Sequence, residues 1–144
     1  MLSPEEVAAL DWIRSETPPW SIVQVDPFSR DPATWSYIPS FAERRMAAGL
    51  PISMIPLEPY RVASGRVQRI FAANTAEQAF EAALRNRVDY VMVGPPELAA
   101  HPQFSATLDQ APHLFPLMFQ AGRVSVYQVG PVTRRPPRRR RAAP

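Results

Sequence analysis

The chain has 144 residues, which is enough for one compact domain with a modest core and too short for two. It contains no cysteine, so a disulfide framework and a thiolate metal site are both excluded. No apolar run approaches the roughly 18 to 20 residues of a membrane helix. The first ten residues also lack the basic, then apolar, pattern of a signal peptide. As given, the sequence predicts a single domain without an export signal.

The positive charge is concentrated at one end of the chain. Six of the sixteen basic residues, all of them arginine, lie in residues 131–144, so residues 1–130 hold ten basic against thirteen acidic groups. We therefore assign an α/β domain to residues 1–130 and predict a disordered Arg/Pro-rich tail over 131–144. Such a tail either binds an acidic partner or is a solvated end that reflects a GC-rich genome. No specific nucleic acid is expected as a partner.

The first half of the chain predicts a helix followed by a buried strand. "SPEE" places Ser3 at an N-cap with Glu6 three residues on, which predicts a helix over about 4–15. The β-branched stretch "WSIVQV" at 20–25 predicts a short strand. Residues 26–39 read as a loop anchored by three aromatic side chains, Phe28, Trp35 and Tyr37.

Two further segments precede the central helices. Ser40 and Glu43 repeat the capping-box spacing and Gly49 gives a stop, which predicts a short second helix over "SFAERRMAAG". The stretch at 50–60 is apolar but interrupted by three prolines, so we expect an edge strand or an extended surface segment.

The second half alternates helices and strands. Residues 64–74 predict one helix, and a second starts at Thr75 and buries four side chains, those of Ala79, Phe80, Ala83 and Leu84. "VDYVMVG" predicts a strand covered on both faces. A helical segment near 96–110, broken at Pro102, precedes two strands joined at Ala121-Gly122. The fold class predicted is α/β, with a small mixed sheet of three to five strands, flanking helices and a C-terminal antiparallel hairpin.

The residues that usually carry catalysis occur here without their usual partners. His101 and His113 do not have a metal-ligand spacing, no serine lies in a G-x-S-x-G elbow, and no Gly-rich phosphate loop is present. The sequence thus predicts neither a metal nor a cofactor, and no catalytic residue.

Four residues are candidate ligand contacts, namely Tyr37, Arg44, Arg45 and Glu97. Glu97 follows the strand at 88–93, where a binding site or a carboxylate-based hydrolase would lie, but a glutamate in the first turn of a helix also complements its dipole. Of the adjacent arginines we expect one to face inward. It would clamp an anionic ligand or, as is more usual, bind a loop carbonyl or an aspartate such as Asp26 or Asp31.

Five stretches in order resemble a known architecture: "ALDWIRSETPP", "SIVQVDP", "WSYIPSFAERRMAAGLP", "DYVMVGPPE" and "LFPLMFQAGRVSVYQV". They are similar to the extracytoplasmic C-terminal region of bacterial multi-pass membrane proteins that resemble type C glycosyltransferases. The resemblance covers residues 3–130. It implies a parent protein that uses a polyprenyl-phosphate sugar and carries its catalytic acid in a loop between membrane spans. Neither that loop nor a span is in this sequence.

The resemblance therefore implies a non-catalytic accessory domain whose partner is the membrane-embedded part of a parent protein, from which the chain is truncated or detached. Such a domain would lie on the extracytoplasmic face of the bacterial inner membrane, whereas the chain expressed as given would be cytoplasmic. The alternative is a free-standing soluble binding module whose Arg-rich tail engages an acidic partner.

Overall fold

The computed structural model describes residues 3–29, 37–47 and 57–130. Its helices are α1 (Pro4–Glu16), α2 (Tyr37–Phe41), α3 (Leu57–Phe71), α4 (Ala76–Arg85), α5 (Pro95–Ala100) and α6 (Phe104–Asp109). Its strands are β1 (Val23–Gln24), β2 (Tyr90–Val93), β3 (Leu117–Ala121) and β4 (Val124–Gln128). In the part of the chain described, no helix has the length and apolar character needed to cross a bilayer.

The four strands form one mixed sheet in the order β1-β2-β4-β3. β1 pairs parallel with β2, whereas β4 pairs antiparallel with both β2 and β3. The β3–β4 hairpin turns at Gly122, which has φ +56°, and a Cβ there would lie 3.0 Å from the side chain of Glu5. This confirms the predicted fold class, including the mixed sheet and the C-terminal hairpin. β1 is shorter than the strand predicted over 20–25.

Side chains alternate between the two faces of the sheet and form two separate apolar clusters. Val91 and Val93 of β2 pack with α3, α4 and α6, in a cluster that includes Phe71 and Phe104. Met92, between them, belongs to the other cluster, which is formed with α1 and α2. The strand over 88–93 is thus covered on both faces, as its sequence predicts.

Local capping signals were reliable where nothing else competed for the segment. Ser3 Oγ accepts a hydrogen bond from the amide of Glu6 at 3.1 Å, and Glu6 Oε2 accepts one from the amide of Ser3 at 3.0 Å. Thr75 Oγ1 accepts from the amide of Gln78 at 3.2 Å and begins α4. The break near Pro102 between α5 and α6 also agrees with the sequence.

The second predicted helix is wrong. Ser40 lies inside α2, which ends at Phe41. The chain then leaves the helix, with φ +55° at Glu43, and Arg45 forms a parallel bridge with Ile22, next to β1. The amide of Val23 donates to the carbonyl of Arg45 at 2.9 Å, and the amide of Ala47 donates to Gln24 Oε1 at 2.9 Å. These bonds satisfy backbone and side-chain polar groups at the edge of β1. They outweigh the helical propensity of the segment.

Three smaller expectations are corrected. The extended segment predicted to continue to residue 60 is helical from Leu57, where Pro59 falls in the first turn and loses no intrahelical bond. Leu84 is 55% exposed because the small side chains of Ala79 and Ala83 face the core instead. Phe28 is 47% exposed and does not anchor its loop.

Other expectations fall outside the described residues. These are the side chain of Trp35, the start of the segment at 50–60, the stop at Gly49 and the disordered tail over 131–144. They stay predictions.

Asp89 joins the two parallel strands and makes the stability of the fold depend on pH. Its Oδ2 accepts from the amide of Ile22 at 2.8 Å, and its own amide donates to the carbonyl of Ile22 at 2.8 Å. Burial raises the pKa of the Asp89 carboxyl above its ordinary value of 3.8, although the amide of Ile22 lowers it in part. A raised pKa in the folded state means that ionisation of Asp89 weakens the fold.

We expect Asp89→Asn to gain stability relative to the wild type as the pH rises from about 4 to about 7, because asparagine still accepts from Ile22 but carries no buried charge. Urea unfolding of both proteins across this range measures the difference. If the wild type instead became more stable relative to the variant as the pH rises, the assignment would be contradicted.

Candidate functional site

The carboxyl ends of the two parallel strands bring polar residues from distant parts of the chain together. Asp26 follows β1 by two residues, and Glu97 lies in the first turn of α5, directly after β2. Because β1 and β2 run parallel, both residues lie at the same edge of the sheet, where open α/β sheets bind their ligands. This edge is the candidate functional site.

Asp26 and His101 form a largely buried pair at this edge. His101 Nε2 lies 2.8 Å from Asp26 Oδ2, and the side chains of the histidine and the aspartate are 18% and 1% exposed. Asp26 Oδ1 accepts from the amide of Phe28 at 3.0 Å, which closes the turn after β1. The imidazole also stacks on Phe71, with ring centroids 6.3 Å apart. The contact between the Asp26 and His101 side chains joins the turn after β1 to the end of α5.

Glu97 is fully buried and caps its own helix. Its Oε1 accepts from the amide of Gly94 at 3.0 Å, and its Oε2 accepts from the hydroxyl of Ser29 at 3.1 Å. The predicted structural corner with a dipole-complementing glutamate is thereby confirmed. A second function, the link to the loop at 26–29, was not predicted.

The chemistry of this edge is mainly structural. Both carboxylates accept hydrogen bonds from the protein, and the network ties the loop after β1 to α5. In the described ranges, no three side chains of His, Cys, Asp or Glu lie close enough together to hold a metal ion. His101 is the member of the network whose side chain is partly exposed.

Arg44 is the arginine that faces inward, but it binds the protein's own backbone. Its Nη2 donates to the carbonyls of Arg14 and Thr17 at 2.8 Å each, and its Nε donates to Thr17 Oγ1 at 3.0 Å. Its Nη1 donates to the carbonyl of Glu43 at 3.0 Å. The guanidinium thus caps the C-terminal carbonyls of α1, which have no intrahelical donors. Of the partners we expected, it uses loop carbonyls, while Asp26 pairs with His101.

Arg45 is exposed, so only one of the two adjacent arginines is inward, as expected. The physical reason differs from the one we gave, since the segment is not helical: Glu43 has φ +55° and Arg45 forms a parallel bridge with Ile22. Tyr37 begins α2, and its side chain lies outside the described part of the structure. Among the described side chains, no hydrogen bond joins Arg44 or Arg45 to Glu97. Ligand binding by the four candidates stays a prediction.

A second polar group includes Tyr127, which belongs to the same apolar cluster as Phe71. The buried Tyr127 donates its hydroxyl proton to Asp109 Oδ1 at 2.8 Å, and its oxygen lies 2.9 Å from Ser105 Oγ. Burial raises the pKa of Tyr127 to about 12, so the hydroxyl stays a neutral donor at physiological pH. These bonds fix α6 against β4.

Sequence reasoning missed the Asp26–His101 pair because we tested His101 only for metal-ligand spacing. The signal was present in the topology: Asp26 follows one strand, and His101 ends the helix that follows the other. A prediction that the strands at 20–25 and 88–93 are parallel neighbours would have placed the two residues together.

The fold resembles a solved domain of an oligosaccharyltransferase. It superposes on the crystal structure of the C-terminal globular domain of oligosaccharyltransferase from Archaeoglobus fulgidus with a TM-score of 0.56. The sequences are 14% identical, and the match covers 90% of this chain and 99% of that chain. At this identity the likeness shows the fold alone. No protein-family model and no curated protein matches the sequence.

We expect Arg44→Met to lower the free energy of unfolding by about 3 kcal/mol, because buried carbonyls lose a charged donor. Arg45→Met is the matched control and should change it by less than about 0.5 kcal/mol. Arg44→Lys should lower the free energy of unfolding by an intermediate amount, because an ammonium group cannot reproduce the planar fork of the guanidinium. Chemical denaturation measures all three, and equal effects at positions 44 and 45 would refute the capping role.

We expect Glu97→Ala to lower the free energy of unfolding by about 2 to 3 kcal/mol, because the amide of Gly94 and the hydroxyl of Ser29 lose their buried acceptor. Glu77→Ala is the control, since Glu77 is an exposed glutamate in the first turn of α4 and its loss should cost less than about 0.5 kcal/mol. Thermal and urea unfolding compare the two. Similar costs would show that Glu97 acts only through the helix dipole.

Proposed function

We propose that this chain is a non-catalytic accessory domain of a membrane glycosyltransferase-like protein, on the extracytoplasmic side of a bacterial inner membrane. The observation that carries the proposal is the extent of the structural likeness. The superposition spans 99% of the globular domain of the archaeal oligosaccharyltransferase, so it concerns the complete domain rather than a shared substructure. The five ordered stretches between residues 3 and 130 support the same assignment independently of the coordinates.

The geometry of the strand edge supports an accessory rather than a catalytic role. A general acid or base has to present its titrating atom to a substrate. Asp26 and Glu97 are fully buried, and each accepts hydrogen bonds from protein donors. Catalysis then belongs to the membrane-embedded part of the parent protein, and this domain supports or lines the acceptor side.

The partner in this proposal is that membrane-embedded part. Trp20 and Phe28 are large hydrophobic side chains that are 38% and 47% exposed, in the segments on either side of β1. We propose that such side chains contact the membrane-embedded part, together with Tyr37 and the exposed Arg45. Exposed apolar surface of this kind is usual at interaction sites.

The native gene product tests the proposal. An antibody to this domain should detect, in the source cells, a band several times heavier than 16.1 kDa. The band should stay in the membrane pellet after an alkaline carbonate wash, which releases peripheral proteins. Protease added outside spheroplasts should remove the epitope, while a cytoplasmic control protein stays intact.

A soluble band at 16.1 kDa would contradict the proposal and favour the alternative, a free-standing binding module. The six arginines among the last fourteen residues support that alternative. It requires salt-sensitive binding of an acidic partner that is lost when residues 131–144 are removed.

A further inference from the structure

Charge is divided unevenly between the α3–α4 hairpin and the rest of the described chain. Residues 57–87 contain five arginines and three glutamates. The other described residues contain four arginines and nine acidic residues. The domain is therefore mildly acidic except along one pair of helices, and this asymmetry is independent of the arginines in the tail.

Three of the arginines border a groove between the two helices. The groove has a volume of about 570 Å³ and includes Arg66 and Arg69 of α3 and Arg85 of α4. Arg85 pairs with Glu81 on its own helix. In the described part of the chain, no carboxylate pairs with Arg66 or Arg69, and both side chains are exposed. The groove therefore presents uncompensated positive charge to solvent.

An exposed aliphatic side chain lies among these arginines. Val62 is 50% exposed and precedes Arg66 by four residues, so the two lie on one face of α3. Asn86 Nδ2 donates to the carbonyl of Arg66 at 3.5 Å, which brings the end of α4 alongside this part of α3. Val62 thus lies beside the cationic groups of the helix pair.

We propose that this surface, formed by Val62, Arg66, Arg69 and Arg85 and called here the basic face, binds the anionic headgroups of a phospholipid bilayer. The inference rests on the proposed function, which places the domain beside a membrane. Arginines attract anionic headgroups, and an exposed aliphatic side chain such as Val62 is stabilised at the interface between headgroups and acyl chains. Nucleic acid fits less well, because it offers Val62 no apolar layer and the net charge of residues 57–87 is small.

The test must separate the basic face from the tail, which also attracts anionic surfaces. The full chain is used in a background in which all six tail arginines are replaced by glutamine, so that its length is unchanged. In this background, Arg66→Gln/Arg69→Gln is compared with Arg14→Gln/Arg123→Gln, which removes the same charge from exposed positions on α1 and in the β3–β4 turn. Circular dichroism confirms that each variant is folded.

Co-sedimentation is measured with vesicles of phosphatidylcholine alone and with added phosphatidylglycerol. The background protein should bind only the vesicles that contain phosphatidylglycerol. Its partition coefficient should fall about thirtyfold in Arg66→Gln/Arg69→Gln, as expected for about 1 kcal/mol per arginine near an anionic surface. The control pair should lower it less than about threefold.

Equal losses in the two double variants would overturn the proposal, because binding would then follow net charge alone. Failure to bind anionic vesicles, with retained binding to soluble polyglutamate, would also overturn it and indicate an acidic protein partner instead. These outcomes do not depend on the mass or location of the native gene product. A failure of the basic face and a failure of the proposed function are thus observed separately.

Discussion

The parallel pairing of β1 with β2 extends over only two residues of each strand, so side-chain hydrogen bonds hold β1 in place. The Asp89 side chain accepts a hydrogen bond from the amide of Ile22. The Gln24 side chain accepts one from the amide of Ala47, in the segment beside β1. Arg44, in the segment beside β1, caps the C-terminal end of α1. This pairing aligns the carboxyl ends of the two strands, and Arg44 joins the segment beside β1 to α1.

The same pairing explains why the site at the carboxyl edge is structural. In many α/β proteins this edge is left open for a ligand. Here Asp26 binds His101 and Glu97 binds Ser29, so the polar groups that strand ends usually offer to a ligand are satisfied by the protein. This arrangement fits the proposed accessory function, in which the domain presents a fixed shape to a partner.

Capping signals in the sequence determined where helices begin when the capping side chain and its hydrogen-bond partner lie close together in sequence. Ser3 with Glu6 began α1, and Thr75 with Gln78 began α4, since each bond spans only three residues. The apolar run at 88–93 and the turn at Gly122 were equally local, and together they predicted a mixed sheet that ends in a hairpin. The resemblance to glycosyltransferase-type domains likewise came from ordered local stretches, and the fold supports it at the level of architecture.

Tertiary structure decided the segments whose partners are distant in sequence. Residues 42–47 have the composition of a helix, yet they are not helical, because the edge of β1 requires hydrogen bonds that only a neighbouring backbone supplies. The pair of Asp26 with His101, separated by 75 residues, exists because two strands are parallel neighbours, which no local pattern encodes. The sequence by itself therefore determined the helices with local caps and the order of the strands along the chain. The packing of the sheet decided which polar groups meet, because burial forces each of them to find a partner wherever the fold provides one.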